Sequence, residues 1–312
     1  MNDPSRFADS PSTWNDLIER VGAQTWPQAT LYVVATPIGN LGDLSLRAWQ
    51  ALRRCDVIAA EDTRASRTLL QAWGVDTPLM AAHRHNEAEA AQAIVQRLAQ
   101  GQRVALVSDA GAPGVSDPGA RIVRTVREAG YRVTALPGAS AVITALMASG
   151  ATSDENPAFA FAGFMPARQA ARRKWLAQWC AVPAPVVMFE SPHRLAQAVA
   201  DLAEVCGAGR RLTLARELTK RFEEIVTLPL AEMEAWLAAD AHRSQGEFVL
   251  IVHQGEEDPA QAGASDPRAA EVLDALLETL SVRDAARVAA KLTGLPRDEL
   301  YTMALARRPG KT

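Results

Sequence analysis

Short apolar runs alternate with segments whose apolar residues recur every three or four positions through the first half of the chain. The runs predict buried strands, and the periodic segments predict amphipathic helices. The predicted strands are 31–36, 57–61, 79–83, 103–108 and 132–137, and the predicted helices are 45–54, 64–73, 87–100, 119–129 and 139–148. This alternation predicts right-handed crossovers and a mostly parallel sheet that is buried on both faces.

A second unit begins near residue 151, after a glycine and before a polar turn. Its predicted strands are 159–164, 186–190, 211–217, 223–229 and 247–252, and its predicted helices are 168–179, 193–205 and 230–239. Several of these strands follow one another without a helix between them, so we expect a mixed sheet. The predicted fold class is therefore α/β, with a mostly parallel sheet followed by a mixed-sheet domain.

Polar stretches at both ends complete the expected domain organisation. We expect a flexible N-terminal tail with a short helix near residues 14–21, two α/β domains, a linker rich in Gly, Ala and acidic residues, and a helical, helix-turn-helix-like appendage. The corresponding boundaries are 1–29, 30–150, 151–254, 255–267 and 268–312. The basic residues of the appendage have two interpretations, an RNA contact or a solvated helix face.

Composition narrows the class of protein. The chain has 312 residues, 48% of them hydrophobic and 22% charged, as expected of a soluble globular protein. No apolar run approaches the roughly 18 to 20 residues that cross a bilayer, and the N-terminal residues do not resemble a signal peptide. Three widely spaced cysteines argue against a disulfide framework or a zinc site, and favour a reducing cytoplasm.

Basic residues are concentrated within the second unit although the formal net charge is −3. Residues 164–221 contain ten Lys or Arg and four acidic residues. Such a region is expected to face phosphates, as in a contact with RNA.

The most distinctive loop is VALVSDAGAPGVSDPG, residues 104–119, with three glycines, two prolines and two Ser-Asp pairs. Glycines allow the backbone to approach a ligand closely or to take positive φ, and free amides at the next helix favour anions. The loop is therefore predicted to bind a ligand. The alternative is an ordinary strand-to-helix turn in which Asp117 or Ser116 caps the helix.

Other polar loops follow strands at the same sheet edge, where an open α/β sheet binds its ligand. Glu61 and Asp62 are either a general base with its orienter or a helix cap, and Arg64 follows them. His83 and His85 have a spacing that suits a metal, but no third ligand is evident, so an RNA or substrate contact is favoured.

Two enzyme classes, ATP hydrolases and serine hydrolases, are disfavoured because the sequence lacks residues that their motifs require. The turn TPIGN after the first strand resembles a phosphate loop but lacks the Lys-Ser/Thr pair, which disfavours ATP hydrolysis. No nucleophile elbow is present for a serine hydrolase. The LPGAS segment, in contrast, opens a helix whose first amides are free to bind an anion or carboxylate.

Taken in order, these motifs carry a family resemblance over residues 31–252. TPIGNL, AAEDTR, HRHNE, VSDAGAPGVSDPG, LPGAS, ESPHR, ARELTK and GEFVLIV resemble the ribosomal RNA small subunit methyltransferase I branch of the tetrapyrrole methylase superfamily. The resemblance implies a two-domain tetrapyrrole-methylase-like fold and a homodimer. It also implies 2'-O-methylation of a cytidine ribose in the decoding region of 16S rRNA, with S-adenosylmethionine bound in the interdomain cleft.

The resemblance also implies roles for individual residues. Those expected to hold the methyl donor are Asp109, Ala110, Gly111, Pro113, Pro137, Gly138, Ala139 and Ser140. Those expected on the substrate side are Pro37, Gly39, Asn40, His83, Asn86, Glu190, Arg194 and Glu217. For catalysis, Glu61 or Asp62 is the expected base, and Lys220 or Arg64 the expected phosphate or alkoxide partner.

Three other functions stay open. The same fold could methylate a small molecule such as a tetrapyrrole or a diphthine precursor, although AAEDTR and ARELTK favour the RNA branch. A conventional Rossmann methyltransferase is disfavoured because the glycine-rich turn follows a late strand and not the first. A non-catalytic RNA-binding protein would bind 16S rRNA or the small ribosomal subunit without binding S-adenosylmethionine. No metal and no membrane are expected as partners, and the expected location is the cytoplasm.

Overall fold

The computed structural model describes residues 13–255 and 267–307. It divides into two compact units, with the division between Gln254 and Gly255. The larger unit contains both predicted sheets, and the smaller one contains the C-terminal helices.

The first sheet has five parallel strands in the order β3-β2-β4-β1-β5. They are β1 (Thr30–Val34), β2 (Val57–Ala60), β3 (Leu79–Ala81), β4 (Arg103–Val107) and β5 (Arg132–Leu136). The helices of this half are α1 (Trp14–Gly22), α2 (Leu46–Arg54), α3 (Thr63–Ala72), α4 (Glu87–Ala99), α5 (Ala120–Glu128) and α6 (Ala141–Ser149). Successive residues of a strand point to opposite faces, so Leu31 and Tyr32 enter separate cores on the two sides. The prediction of a parallel sheet buried on both faces is confirmed.

The second sheet is mixed, as predicted, with the order β6-β7-β10-β8-β9. Its strands are β6 (Ala160–Phe164), β7 (Val186–Glu190), β8 (Arg211–Arg216), β9 (Glu224–Pro229) and β10 (Phe248–Val252). The pair β6 and β7 is parallel, and the remaining pairs are antiparallel. On one face pack α7 (Gln169–Cys180), α8 (Leu195–Cys206) and α9 (Leu230–Ala238).

The other face of the second sheet joins the two halves of the larger unit. Val187 and Val249 of this sheet pack with Ile38, which follows β1, and with Val142 of α6. This shared core fixes the loops at the ends of the first sheet against the loops of the second sheet. It therefore positions the cleft described below.

Residues 13–29 are more ordered than a flexible tail. Thr13 and Asp16 form a capping box at the start of α1, and the Arg54 guanidinium donates a hydrogen bond of 2.7 Å to the Gly22 carbonyl. Trp26 belongs to the core on one side of the first sheet. The indole of Trp26 therefore adds apolar surface to the core, although the polar character of residues 1–29 predicts a flexible tail. Residues 1–12 of the predicted tail lie outside the described residues.

The cysteine expectation was wrong. Cys180 and Cys206 form a disulfide, with their Cα atoms 6.0 Å apart. They end α7 and α8, which follow the parallel strands β6 and β7 and pack side by side, so that the two C-terminal ends meet. Spacing along the chain does not reveal this proximity. Cys55 is buried, and burial raises the pKa of its thiol to about 12.

The smaller unit is a helical bundle of α10 (Pro267–Leu277), α11 (Val282–Thr293) and α12 (Arg297–Arg307). Ser281 caps α11 by accepting a hydrogen bond from the Asp284 amide, and Gly294 ends that helix with φ +76°. Leu273, Ala285 and other buried residues form its core. Over the described parts of both units, no helix combines the length and apolarity needed to cross a membrane.

Candidate active site in the interdomain cleft

A cavity of about 360 Å³ lies where the loops of the two sheets meet. Its size is within the range of small-molecule sites. The wall consists of residues 110–112, 115–117, 140–142, 189–192 and 246–249, together with Ile38, Phe164 and Leu218. Of the predicted site residues, this wall includes Ala110, Gly111, Ser140 and Glu190. The other predicted site residues lie outside the wall.

The loop after β4 is held in place by the loop after β1. The Thr36 amide donates to the Gly111 carbonyl at 2.9 Å, and the Gly111 amide donates to the Thr36 carbonyl at 3.0 Å. The Ser108 hydroxyl also donates to the Gly111 carbonyl. Gly111 has φ +79°, a conformation that side chains other than glycine rarely adopt. The glycine thus lets this loop form one wall of the cavity.

Neither Asp117 nor Ser116 caps the helix that follows the loop. Glu87 of α4 takes that role, since one of its oxygens accepts hydrogen bonds from the amides of Gly119 at 2.9 Å and Arg121 at 3.1 Å. The alternative that these residues form an ordinary capped turn is therefore wrong. Asp117 and Ser116 contribute to the cavity wall instead.

The start of α6 forms a second part of the wall. Ser140 is the N-cap, but its side chain makes no capping hydrogen bond to the helix amides. Uncapped amides at a helix start carry partial positive charge and favour an anion. A Cβ at Gly138 would lie 2.8 Å from the Ala35 Cβ, so glycine is required for the turn to pass this close to β1.

Three acidic residues, here called the carboxylate cluster, lie together beside the cavity: Glu61, Asp109 and Asp117. The amide of Asp62 donates to an Asp109 carboxylate oxygen at 3.0 Å. Burial raises the pKa of Glu61, and the charge of Asp109 raises it further. Burial and the charges of Glu61 and Asp109 raise the pKa of Asp117 to about 6. Asp117 is therefore suited to accept a proton near neutral pH, and its raised pKa makes Glu61 a stronger base than an ordinary carboxylate.

Asp62 has a structural role that distinguishes it from Glu61. One of its carboxylate oxygens accepts hydrogen bonds from the amides of Arg64 at 2.7 Å and Ala65 at 3.4 Å. The helix-cap interpretation of the acid pair is therefore confirmed for Asp62. Glu61 keeps the general-base interpretation open, because burial raises the pKa of its carboxyl group.

A contrasting group, the Lys220 cluster, consists of Lys220, Glu217 and Glu247. The Lys220 ammonium lies 3.0 Å from Glu217 and 2.7 Å from Glu247. Burial lowers the pKa of Lys220, but hydrogen bonds to the two carboxylates outweigh burial and raise it. The lysine is therefore a permanent cation and not a base. A Cβ on Gly39 would lie 2.5 Å from the Lys220 Cγ, so the predicted glycine makes room for this side chain.

The Glu190 side chain is fully buried, yet one of its carboxylate oxygens accepts no hydrogen bond from the described residues. One carboxylate oxygen, Oε1, lies 2.5 Å from the Arg194 guanidinium and accepts a hydrogen bond of 2.6 Å from the Ser191 amide. The other oxygen, Oε2, is buried and has no hydrogen-bond donor among the residues that the structure describes. A buried polar atom without a partner is unusual and calls for an explanation.

Several predicted substrate residues shape turns. Asn86 accepts a hydrogen bond of 2.8 Å from the His83 amide and donates one of 3.2 Å to the Ala81 carbonyl. Asn40 accepts a hydrogen bond from the Gly42 amide. Within residues 13–255 and 267–307, no group of three or more His, Cys, Asp or Glu side chains is arranged to hold a metal ion.

The basic stretch 164–221 is partly internal, contrary to the expectation that it faces phosphates. Arg172 is buried, and its guanidinium donates to Asp201 at 2.7 Å. Arg216 is also buried and donates to the Gln245 carbonyl. These arginines are used to hold helices and loops together.

Sixteen of the twenty wall residues are not among the predicted site residues, and Asp117 and Phe164 are two of them. Asp117 was considered mainly as a cap, although its place in the glycine-rich loop could have identified it. Phe164 was treated as part of a strand. Its role in the wall depends on an irregularity of β6 that periodicity does not reveal.

The chain matches family models in both units. Residues 30–234 match the tetrapyrrole (corrin/porphyrin) methylases, and residues 263–308 match a family described as the RsmI C-terminal HTH domain.

Relatives described as ribosomal RNA small subunit methyltransferase I match 89% of the chain. Ribosomal RNA small subunit methyltransferase I of Pseudomonas aeruginosa is 46% identical over 279 residues, which are 89% of this chain and 98% of that protein. The protein of the same description from Escherichia coli O157:H7 is 44% identical over 280 residues, covering 89% and 95% of the two chains.

Solved structures share the fold at low identity. A cobalt precorrin-4 methyltransferase has a TM-score of 0.54 at 16% identity, covering 72% of this chain and 95% of that one. A diphthine synthase has a TM-score of 0.55 at 13% identity, with 72% and 90% covered. A uroporphyrin-III C-methyltransferase from Thermus thermophilus, complexed with S-adenosylhomocysteine, has a TM-score of 0.51 at 16% identity, with 72% and 97% covered. These structures show the fold, and the family models and the relatives show that the chain belongs to the ribosomal RNA small subunit methyltransferase I family of tetrapyrrole methylases.

Proposed function

We propose that this protein uses S-adenosylmethionine to methylate the ribose 2'-hydroxyl of a cytidine in the decoding region of 16S rRNA. The observation that carries the proposal is the adjacency of a ligand-sized cavity and acidic groups with raised pKa values. The family membership supports the reaction class, because the relatives are named for methylation of small-subunit rRNA.

The cavity fits the proposed methyl donor in size and chemistry. Its wall is mostly apolar and includes the uncapped start of α6. The residues proposed to hold the donor are Asp109, Ala110, Gly111, Pro113, Pro137, Gly138, Ala139 and Ser140. When bound, S-adenosylmethionine supplies a methyl carbon that its sulfonium group makes electrophilic.

Glu61 is the proposed general base. A ribose hydroxyl is a weak acid, so a carboxylate that accepts its proton makes the oxygen a better nucleophile. Burial and the neighbouring charge of Asp109 raise the pKa of Glu61, which strengthens it as a base. General base catalysis contributes about 10²- to 10⁴-fold, and the larger part of the acceleration comes from holding the reacting groups in position.

The cations and polar turns at the rim are proposed to bind the RNA backbone. Arg64 follows the acid pair on an exposed helix turn, and Lys220 remains charged between its two carboxylates. The further substrate residues in this proposal are Pro37, Gly39, Asn40, His83, Asn86, Glu190, Arg194 and Glu217. We also propose that the protein acts as a homodimer in the cytoplasm, as the sequence resemblance implies.

Transfer of radiolabelled methyl groups tests the proposal. The labelled donor is incubated with unmodified small ribosomal subunits and, in parallel, with naked 16S rRNA, and nuclease mapping locates the label. Label on a ribose in the decoding region is the expected result, and the comparison shows which form of substrate is used.

Each other outcome contradicts a different part of the proposal. Donor binding by calorimetry without labelled rRNA would favour a small-molecule methylase of the same fold. Absence of donor binding together with RNA binding would favour a non-catalytic RNA-binding protein.

A further inference from the structure

The loop between β8 and β9, residues 217–223, lies at the edge of the second sheet that borders the cavity. Arg216 at the end of β8 pairs with Glu224 at the start of β9 and with Phe248 at the start of β10. Phe248 belongs to the cavity wall, as does Leu218 of the loop itself. The loop is therefore beside the cavity in which the methyl donor is proposed to bind.

Hydrogen bonds hold this loop in one conformation. The buried Arg216 guanidinium donates to the Phe222 carbonyl at 3.0 Å, and the Thr219 amide donates to a Glu223 carboxylate oxygen at 2.6 Å. Glu217 and Thr219 have φ +50° and +66°, which residues other than glycine rarely adopt. Backbone strain of this kind persists only where the surrounding structure enforces it, and it clusters at active sites and ligand-binding sites.

Two neighbouring side chains of this fixed loop, Arg221 and Phe222, are exposed. Phe222 is 62% exposed, and the Arg221 guanidinium carbon lies 5.4 Å from the centroid of its ring. Among the described residues Arg221 forms no ion pair, in contrast to Lys220, whose ammonium is paired with two carboxylates. The loop thus presents an aromatic face next to an unpaired positive charge.

The surroundings of Phe222 favour a nucleic acid over an apolar protein surface. Both of its neighbours in the loop, Arg221 and Glu223, are exposed and charged, so the ring is not part of a continuous apolar run. An apolar protein contact needs a larger patch, whereas a stacking base needs only the face of one ring. The free guanidinium complements the negative charge of a phosphate.

We propose that Phe222 and Arg221 bind an unpaired nucleotide of the RNA substrate. The base stacks on the exposed Phe222 ring, and the Arg221 guanidinium pairs with a phosphate of the same strand. This inference rests on the proposed function, which brings an RNA to the cavity beside the loop. The nucleotide is unpaired because bases within a duplex are stacked on their neighbours, whereas a base splayed out of a loop can stack on an aromatic side chain.

Fluorescence anisotropy with the full-length protein tests the stacking contact. The labelled probes, of equal length, are single-stranded oligocytidylate, an abasic strand and an RNA duplex. We expect Phe222→Ala to weaken binding of oligocytidylate by about tenfold and to leave the other affinities unchanged, because neither of those probes offers a base for stacking. The measurement uses no methyl donor, so its result does not depend on methyl transfer.

Conservative variants separate stacking from apolar packing. Phe222→Tyr keeps the ring and should bind oligocytidylate as the wild type does, whereas Phe222→Leu keeps apolar bulk without a ring and should bind as weakly as Phe222→Ala. Phe159→Ala is the matched control, since Phe159 is 39% exposed just before β6, at the opposite end of the second sheet from the cavity. It should leave the affinity unchanged.

A salt titration tests the phosphate contact. Loss of one phosphate contact to a single strand makes the slope of log affinity against log salt concentration less steep by about 0.7, a change expected for Arg221→Gln but not for Arg221→Lys. Arg53→Gln is the matched control, since the Arg53 guanidinium lies 4.8 Å from the centroid of the Trp49 ring, but at the end of α2 just before β2 begins. It should keep the wild-type slope, and an unchanged slope in Arg221→Gln would overturn the phosphate contact.

Other results would overturn the stacking contact. One is a wild-type protein that binds the abasic strand as tightly as oligocytidylate, a measurement that needs no variant to fold. Another is a folded Phe222→Ala or Phe222→Leu variant with wild-type affinity. A third is a change in molar mass by light scattering that accompanies the loss of affinity, because the ring would then lie between two copies of the chain.

The inference and the proposed function fail separately. If the Phe222 variants bind oligocytidylate normally while methyl groups still reach rRNA, the reaction stands without this contact. If stacking behaves as expected while no methyl group reaches rRNA, the nucleotide site stands and the proposed reaction fails.

Discussion

The carboxylate cluster and the Lys220 cluster each contribute a residue to the cavity wall, yet they differ in electrostatic character. In the carboxylate cluster, burial and like charges raise the pKa values of Glu61 and Asp117. In the Lys220 cluster, burial also acts to raise the pKa of Glu217, but the hydrogen bonds from Lys220 and the Glu247 amide and the charges of Lys220 and Arg216 together outweigh burial and lower that pKa. The difference is the presence of a cation within hydrogen-bond distance.

The comparison separates two tasks that acidic residues perform at one cleft. In the carboxylate cluster, burial and like charges outweigh the charge of Arg84, so Glu61 and Asp117 hold their protons more tightly. In the Lys220 cluster, Glu217 and Glu247 hold the lysine in place through ion pairs. The first sheet therefore supplies the carboxyl groups with raised pKa values, including the proposed base, and the second sheet supplies an ion-paired rim.

The largest expected effect comes from removing the proposed base. Glu61→Gln keeps the shape of the side chain but removes its basicity, so we expect the single-turnover methylation rate to fall by about 10²- to 10⁴-fold. Donor affinity by calorimetry should change little, because Glu61 is not part of the cavity wall. The wild-type rate should rise with pH as Glu61 loses its proton, and the variant should lack this rise.

Glu128→Gln provides the control for this comparison, since Glu128 is exposed near the end of α5. It should retain the wild-type rate. A Glu61→Gln enzyme within about threefold of the wild-type rate would exclude Glu61 as the base.

The second prediction makes the Lys220 cluster resemble the carboxylate cluster. Lys220→Met removes the cation and leaves Glu217 and Glu247 without their ion pair. We expect the free energy of unfolding at pH 7.5 to fall by about 2 kcal/mol, the order of a hydrogen bond to a charged group. Urea unfolding followed by circular dichroism measures this change.

The pH dependence of that loss has a definite sign. The lowered pKa of Glu217 stabilises the fold above its unfolded value of 4.5, and this stabilisation is lost as pH falls through the folded pKa. Wild type and Lys220→Met should therefore converge as the pH is lowered below 4. Adding Glu217→Gln to Lys220→Met should restore part of the stability at pH 7.5. An equal deficit at all pH values would show that the loss comes from packing.

Much of the fold could be predicted because buried parallel strands leave a simple signal. Val57–Ala60 is buried at every position and appears as an uninterrupted apolar run. The meeting of Glu61 and Asp109 was also predictable in outline, since β2 and β4 are parallel neighbours whose ends coincide. Topology thus brings separate loops to one edge.

Features that depend on distant partners or on register could not be predicted from local pattern. Lys220 pairs with Glu247, 27 residues away in the chain, and that contact contributes most to raising its pKa. The bulge at Ala162 reverses the face on which Phe164 lies. Glu61 and Asp62 have equal claims as neighbouring acids, and only the amides of α3 assign the capping role to Asp62.

The smallest expected effect comes from removing one acid of the carboxylate cluster. Asp117→Asn removes a carboxylate that the fold disfavours, because its folded pKa is about 6 against an ordinary 3.8. Between these values the folded chain binds more protons than the unfolded chain, so stability falls as pH rises toward 6 and is then constant. Asp117 is partly exposed, and with solvent screening we expect the variant to be more stable by about 1 kcal/mol at pH 7.5. The gain should vanish below pH 4.

Asp76→Asn is the matched control, because Asp76 is exposed in a loop, and it should show no such gain. Urea unfolding at pH 7.5 and below pH 4 measures the stability of both variants. A loss of stability in Asp117→Asn at pH 7.5 would mean that a cation neutralises the carboxylate cluster, and the contrast with the Lys220 cluster would then fail.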